Sequence, residues 1–137
     1  MEKIKYYKIF LDGIDKTGKD IIANYVDRLS NRKYIVKSRG IVSMIVYSKI
    51  FNREYEYDTK EEDVVNVLLM VEKDDWEIRC KLTNEELIDY ETHSKCFIKE
   101  FNSLDCVHKL AFNTSKETPY SIAKEIIKYM EKINKEN

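Results

Sequence analysis

Glycine and proline are scarce in this chain. Three glycines and one proline in 137 residues exclude a loop-built or low-complexity protein, because those residues punctuate irregular structure. Cysteine is equally thin. Cys80, Cys96 and Cys106 are odd in number and widely spaced, with no Cys-x2-Cys pair, and neither His93 nor His108 stands at ligand spacing from one. This excludes a disulfide framework and a zinc site built from protein ligands. The three read as reduced thiols packed as small apolar groups. Net charge is nearly absent too: 24 lysines and arginines against 25 acids leave −1, which argues against a general nucleic-acid or membrane binder but leaves room for a local basic cleft. No apolar run approaches the roughly 20 residues of a membrane helix. The start, Met1-Glu2-Lys3-Ile4-Lys5, lacks a signal peptide's apolar stretch, so the expected location is cytoplasmic.

What is present is a balance of 43% hydrophobic and 36% charged residues, the mark of a globular protein with a charged exterior. The length predicts a single domain over 1–137. A strand is expected over 6–12, a helix over 18–31 and a second short strand over 34–37. Residues 41–51 read as a helix apolar on most sides, which predicts burial or an interface. Residues 52–63 read as a surface loop. Val64–Val71 has the length and β-branching of a strand buried on both faces. A short helix is expected over 74–82, and Thr83-Asn84-Glu85-Glu86 fits a capping box opening another helix to about Phe101, with Leu87 on its apolar side. A last strand is expected over 106–112. A final helix follows, with Thr118 as N-cap and Pro119 as first residue. Strands alternating with helices predict a three-layer α/β fold with a short, mostly parallel sheet of about four strands. In such sheets the ligand cleft lies at the carboxyl ends of the strands. Residues 13–19, Ser38-Arg39, Glu72-Lys73 and Asn113-Thr114 then share one rim.

The most informative stretch is the first crossing of that rim. The apolar run Ile9-Phe10-Leu11 ends at Asp12, and the loop Gly13-Ile14-Asp15-Lys16-Thr17-Gly18 leads to Lys19-Asp20. An amphipathic stretch follows at once, with Ile21, Ile22, Tyr25, Val26 and Leu29 at helical spacing. Strand, Gly-x4-Gly-Lys, helix is the order of a phosphate-binding P-loop. Backbone N–H groups of a tight loop surround polyphosphate, and the helix dipole adds positive potential. Lys19 supplies a mobile cation for the outer phosphates. Asp20 stands where Ser or Thr usually ligates magnesium. A carboxylate is a good hard-cation ligand, and the alternative is that Asp20 merely caps the helix.

The loop Gly13-Ile14-Asp15-Lys16-Thr17-Gly18-Lys19 resembles that of thymidylate kinases, of the form Gly-x-Asp-x-x-Gly-Lys. Ser38-Arg39-Gly40-Ile41-Val42-Ser43-Met44-Ile45-Val46-Tyr47 resembles the family's Asp-Arg-x-x-x-Ser-x-x-x-(Tyr/Phe) signature at Arg39, Ser43 and Tyr47. The tail from Phe112 to Lys124 is similar to the loop and helix closing many nucleoside monophosphate kinases. The likeness runs nearly end to end in a shortened form, closest to small phage-type deoxynucleotide kinases. It implies an ATP-dependent kinase acting on a deoxynucleoside monophosphate, with magnesium arriving with ATP and a homodimer formed through helix 41–51. Gly13 to Asp20 are implied to hold the ATP phosphates, with Lys16 over the transferring phosphoryl group and Lys19 on the outer phosphates. Asp15 is implied to contact the acceptor's sugar and Arg39 its monophosphate, with Ser43 and Tyr47 matching the acceptor signature. Arg79, with Lys81, is implied as a shortened lid, and Asn113, Thr114, Ser115 and Lys116 as bordering the adenine.

Ser38 departs from the signature, which begins with Asp. Serine has no charge with which to organise magnesium and substrate; Asp12 and Asp20 are the acids that could compensate. That departure and the brief lid support a second reading, a degenerate kinase fold kept as a nucleotide-binding or protein-binding regulatory module. A third, a kinase acting on a modified base or a DNA 5′ end, is disfavoured by the near-neutral charge. Trp76 is expected to pack beside the third strand rather than stack on a nucleobase.

Overall fold

Six of the seven residues of Val64–Met70 are buried, so this strand needs cover on both faces and a neighbour on each edge. It forms β3 of a parallel sheet, between β1 (Lys8–Asp12) and β4 (Lys109–Asn113). Strand β2 (Ile35–Ser38) pairs outside β1, giving the order β2-β1-β3-β4. The computed structural model describes residues 4–52, 54, 63–86 and 89–136. Among the described residues five helices flank the sheet: α1 (Lys19–Leu29), α2 (Ile41–Ile50), α3 (Lys73–Leu82), α4 (Tyr90–Ser103) and α5 (Pro119–Lys135). The expected α/β architecture, with a four-stranded parallel sheet, is the observed one.

Alternation along the strands sends side chains to two cores. Ile9, Leu11, Val65, Val67 and Leu69 pack with Ile22 and Val26 of α1 and Ile122, Ile126 and Met130 of α5. Leu68 and Val71 pack with Val42 and Val46 of α2, Trp76 of α3, and Phe97 and Phe101 of α4. Trp76 is 2% exposed beside β3, the expected position. Truncating a fully buried member such as Ile126 to Ala costs about 2–5 kcal/mol in comparable cores. Helix α5 begins as expected: Pro119 opens it, and the Thr118 side chain accepts from the Ser121 N–H at 3.2 Å.

The capping box at Thr83–Glu86 does not open a helix. Thr83 closes α3 instead, its hydroxyl donating to the carbonyls of Arg79 and Cys80, both at 3.2 Å. Helix α4 starts at Tyr90, capped by Asp89, which accepts from the Thr92 N–H at 3.2 Å. Leu87 lies outside the described residues, as does most of the expected loop over 52–63. Strand β4 starts at Lys109 rather than Cys106, since Val107, although β-branched, stands in solvent at 89% exposure.

The strand order fixes where a ligand can sit. The chain leaves β1 towards β2 on one side, and leaves β3 towards β4 on the other. Such a reversal opens a crevice at the carboxyl ends of the two central strands. The loop between β1 and α1 emerges there.

Candidate phosphate-binding site

Gly13 lies against β3 so closely that a Cβ would come within 2.3 Å of the Leu69 carbonyl oxygen. Only glycine lets the loop pass that strand. At the other end Gly18 has φ +85° and forms the N-cap of α1. Lys16 between them is also left-handed, at φ +69°. Lys19, the first residue of α1, turns inward: its Nζ donates to the carbonyl oxygens of Gly13 at 2.8 Å and Ile14 at 3.0 Å. Thr17 supports the same turn through Oγ1, which donates to the Ile14 carbonyl at 3.0 Å. Burial lowers the Lys19 pKa to about 8, with Asp15 opposing the shift. The Ile14 side chain is buried in the second core, so this residue contributes its backbone to the loop.

Asp12 is fully buried at the end of β1. Its Oδ1 accepts from the N–H of Gly40 at 2.8 Å, the N–H of Ser43 at 2.9 Å and the Ser43 hydroxyl. Helix α2 has no capping side chain of its own, so Asp12 caps it from β1, where a carboxylate also meets the positive end of the helix dipole. Asp12 Oδ2 has no hydrogen-bond partner among the described residues, and burial pushes the carboxyl pKa up against the lowering effect of those bonds. Asp12 is thus committed to α2 and is not among the acids presented to the cavity. Ser43, matched to the acceptor signature, is spent on the same contact. The anchoring of α2 also sets Arg39, whose N–H donates to the Leu11 carbonyl at 2.8 Å. Arg39 has φ +107°, a strained value for a residue with a Cβ.

A cavity of about 440 Å³ opens over the loop, lined by Asp15, Lys16, Gly18, Lys19, Asp20, Ile21, Ser38, Arg39 and Glu85. Its size is that of a small-molecule site, roughly 300–1,000 Å³. Arg39 Nη2 stands 3.6 Å from Asp15 Oδ1, with side chains 61% and 49% exposed. Lys16 Nζ is 2.7 Å from Glu85 Oε1. The lining therefore carries three cations, Lys16, Lys19 and Arg39, faced by three carboxylates, Asp15, Asp20 and Glu85. Asp20 is exposed, and α1 has no side-chain cap bond. The alternative that this residue serves as the helix cap is not what is observed. Its oxygens are of the type a hard cation takes. Among the described residues no cluster of three or more His, Cys, Asp or Glu could hold a metal by itself.

Other expected site residues take different positions. Arg79 is a brace: Nη1 donates to the Lys16 carbonyl at 2.7 Å and to Thr114 Oγ1 at 3.1 Å, while Nη2 donates to the Thr114 carbonyl at 3.0 Å. Lys81 is exposed and does not line the cavity. Asn113 to Lys116 form a turn closed by the Ser115 N–H donating to Asn113 Oδ1 at 2.9 Å. Ser115 Oγ in turn accepts from the Glu72 N–H at 2.8 Å, and Thr114 Oγ1 donates to the Met70 carbonyl at 3.0 Å. This turn lies on the expected rim, outside the cavity lining. Tyr47 packs against Phe51 and Phe97, also away from that lining. Glu85 and Ile21 line the cavity without having been expected there. Ile21 follows directly from the helix after Lys19, but Glu85 reaches Lys16 from a turn 69 residues later, and no local pattern marks that pairing.

Fold and site together define a parallel α/β protein whose first strand ends in a glycine-bounded loop over a charged cavity. The same fold occurs in the crystal structure of the YorR protein from Bacillus subtilis in complex with phosphorylated GDP: TM-score 0.77 at 17% identity, over 90% of this chain and 95% of that one. At that identity the likeness is one of fold. No family model and no curated protein matches the sequence. No helix among the described residues is long and apolar enough to cross a membrane.

Proposed function

We propose that the chain is an ATP-dependent kinase of deoxynucleoside monophosphates, similar to thymidylate kinases. The observation that carries this reading is the meeting of Arg39, from the end of β2, with Lys16 and Lys19 of the loop on one cavity. A donor's phosphates and an acceptor's phosphate each then have a cation within the same space. Phosphoryl transfer asks for little else, because positioning and positive charge on the transferred group supply most of the rate. In this reading the loop from Gly13 to Asp20 holds the ATP phosphates, Lys16 and Lys19 neutralise the transferring group, Arg39 holds the acceptor's phosphate and Asp15 its sugar. Magnesium would arrive with ATP and supply Lewis-acid charge, and Asp20 would offer it an oxygen. The turn at Asn113 to Lys116 would border the adenine. The neighbour's bound nucleotide supports a nucleotide ligand for this fold.

A homodimer through α2 belongs to the same proposal. Met44, Ile45 and Ile50 are partly exposed there, and Phe51 at its end is 48% exposed. A dimer would cover them, and sedimentation equilibrium of wild type beside Ile45→Asp tests this.

Ser38 favours the second reading, a nucleotide-binding module without turnover. It lines the cavity where the resembling signature has an acid. The deciding experiment is ADP release from magnesium-ATP against a panel of deoxynucleoside monophosphates, with Lys19→Ala alongside. Acceptor-dependent release lost in the variant supports the kinase; ATP binding without release supports the module.

A further inference from the structure

The end of α3 and the turn after it hold Lys16 at both ends. The backbone carbonyl accepts from Arg79 at 2.7 Å, and the ammonium meets Glu85 Oε1 at 2.7 Å. The two holds differ in kind. Arg79 is partly buried and fixed by two further bonds to Thr114. The Glu85 side chain is 49% exposed, against 22% for that of Lys16, and its turn is tied back by the Glu85 N–H donating to the Cys80 carbonyl at 3.0 Å. Glu85 also lines the cavity. A carboxylate oxygen at 2.7 Å from an ammonium has the charge and spacing of a phosphoryl oxygen bound to the same group.

We propose that Glu85 is a built-in competitor for phosphate at Lys16. With the loop empty its carboxylate neutralises the ammonium. A polyphosphate anion entering the cavity meets like charge at Glu85 and takes Lys16 in its place. The carboxylate then swings to solvent while Arg79 keeps the Lys16 backbone fixed. This deepens the reading of the loop as a polyphosphate site and rests on it. It also sets selectivity, since a small anion of low charge gains less from the exchange than a polyphosphate that draws on Lys19 as well.

Calorimetric titration with inorganic tripolyphosphate, without metal, tests the exchange on wild type, Glu85→Gln, Lys16→Met and the double variant, with Lys19→Ala as control. Glu85→Gln is expected to tighten binding about two- to fivefold, the scale of an exposed ion pair. In the Lys16→Met background the same change is expected to have less than half that effect, because the contested ammonium is gone. Unchanged or weaker binding by Glu85→Gln, with wild-type binding intact and lost in Lys19→Ala, overturns the competition alone. An undiminished gain in the Lys16→Met background overturns it too. Absence of binding by every chain overturns both the competition and the phosphate-loop reading. Thermal unfolding of Glu85→Gln close to that of wild type shows that the effect is not one of folding.

Discussion

The guanidinium of Arg79 donates at 2.7 Å to the carbonyl of Lys16, a residue held at φ +69°. A left-handed peptide in the middle of the glycine-bounded loop is thereby fixed from α3, and the same guanidinium fixes Thr114 across the rim. Arg79→Ala removes three charge-assisted bonds and leaves their acceptors without that donor. The expected loss is about 1.5–3 kcal/mol in urea unfolding, with polyphosphate affinity weakened. Lys81→Ala, on the exposed side of α3, is expected to stay within about 0.5 kcal/mol of wild type. Equal effects would mean that Arg79 is a surface charge after all.

Lys19 gives the protein a pH signature. Its folded-state pKa of about 8 lies below the ordinary 10.5, mainly through burial. Between these values the unfolded chain holds a proton that the folded chain has released, so stability rises with pH across the window. Below pH 8 both states are charged and the burial penalty is fully present. Unfolding free energies of wild type and Lys19→Met, measured from pH 7 to 10, should therefore shift in favour of wild type by roughly 2–3 kcal/mol. A difference that stays flat would remove the case for a desolvated ammonium.

Arg39 joins the proposed function to strain. At φ +107° a residue with a Cβ costs on the order of 1–3 kcal/mol, and glycine there escapes the cost. Both Arg39→Ala and Arg39→Gly should raise the acceptor KM sharply. The glycine variant should nonetheless be the more stable of the two by about 1 kcal/mol, against the usual order for these residues. Thermal unfolding distinguishes them.

Gly13 is expected to tolerate no side chain. An added Cβ would lie 2.3 Å from backbone oxygen, and a strand in the centre of a sheet cannot shift cheaply. Gly13→Ala should lose at least about 2 kcal/mol, at the upper end of overpacking costs, measured by urea unfolding. Gly18→Ala is a milder case. No atom lies within 4 Å of its added Cβ, so only its φ of +85° opposes the change.

Much of this was legible because local chemistry and fold agree. Apart from Asn66, Val64–Met70 is apolar without alternation, and it lies between two strands. The order of apolar run, Gly13, Gly18 and Lys19 gave strand, loop and helix, and Thr118-Pro119 opened α5 as capping chemistry requires. The misreadings came where a local motif had two uses. Thr83 can accept at a helix start or donate at a helix end, and here it donates, while Asp89 takes the capping role six residues later. The contacts made by Asp12, Arg79 and Glu85 were beyond reach for another reason. Their partners lie 28 to 69 residues away in sequence, and only the crossing of the strands brings them together.

The central claim is that this cavity moves a phosphoryl group from ATP to a nucleoside monophosphate. Phosphorus-31 NMR of the protein with magnesium-ATP and dTMP reads that transfer directly. The account predicts paired growth of ADP and dTDP resonances without orthophosphate, and none of it in Lys19→Ala. Orthophosphate alone, or an unchanged spectrum across the deoxynucleoside monophosphates while ATP still binds, would contradict it.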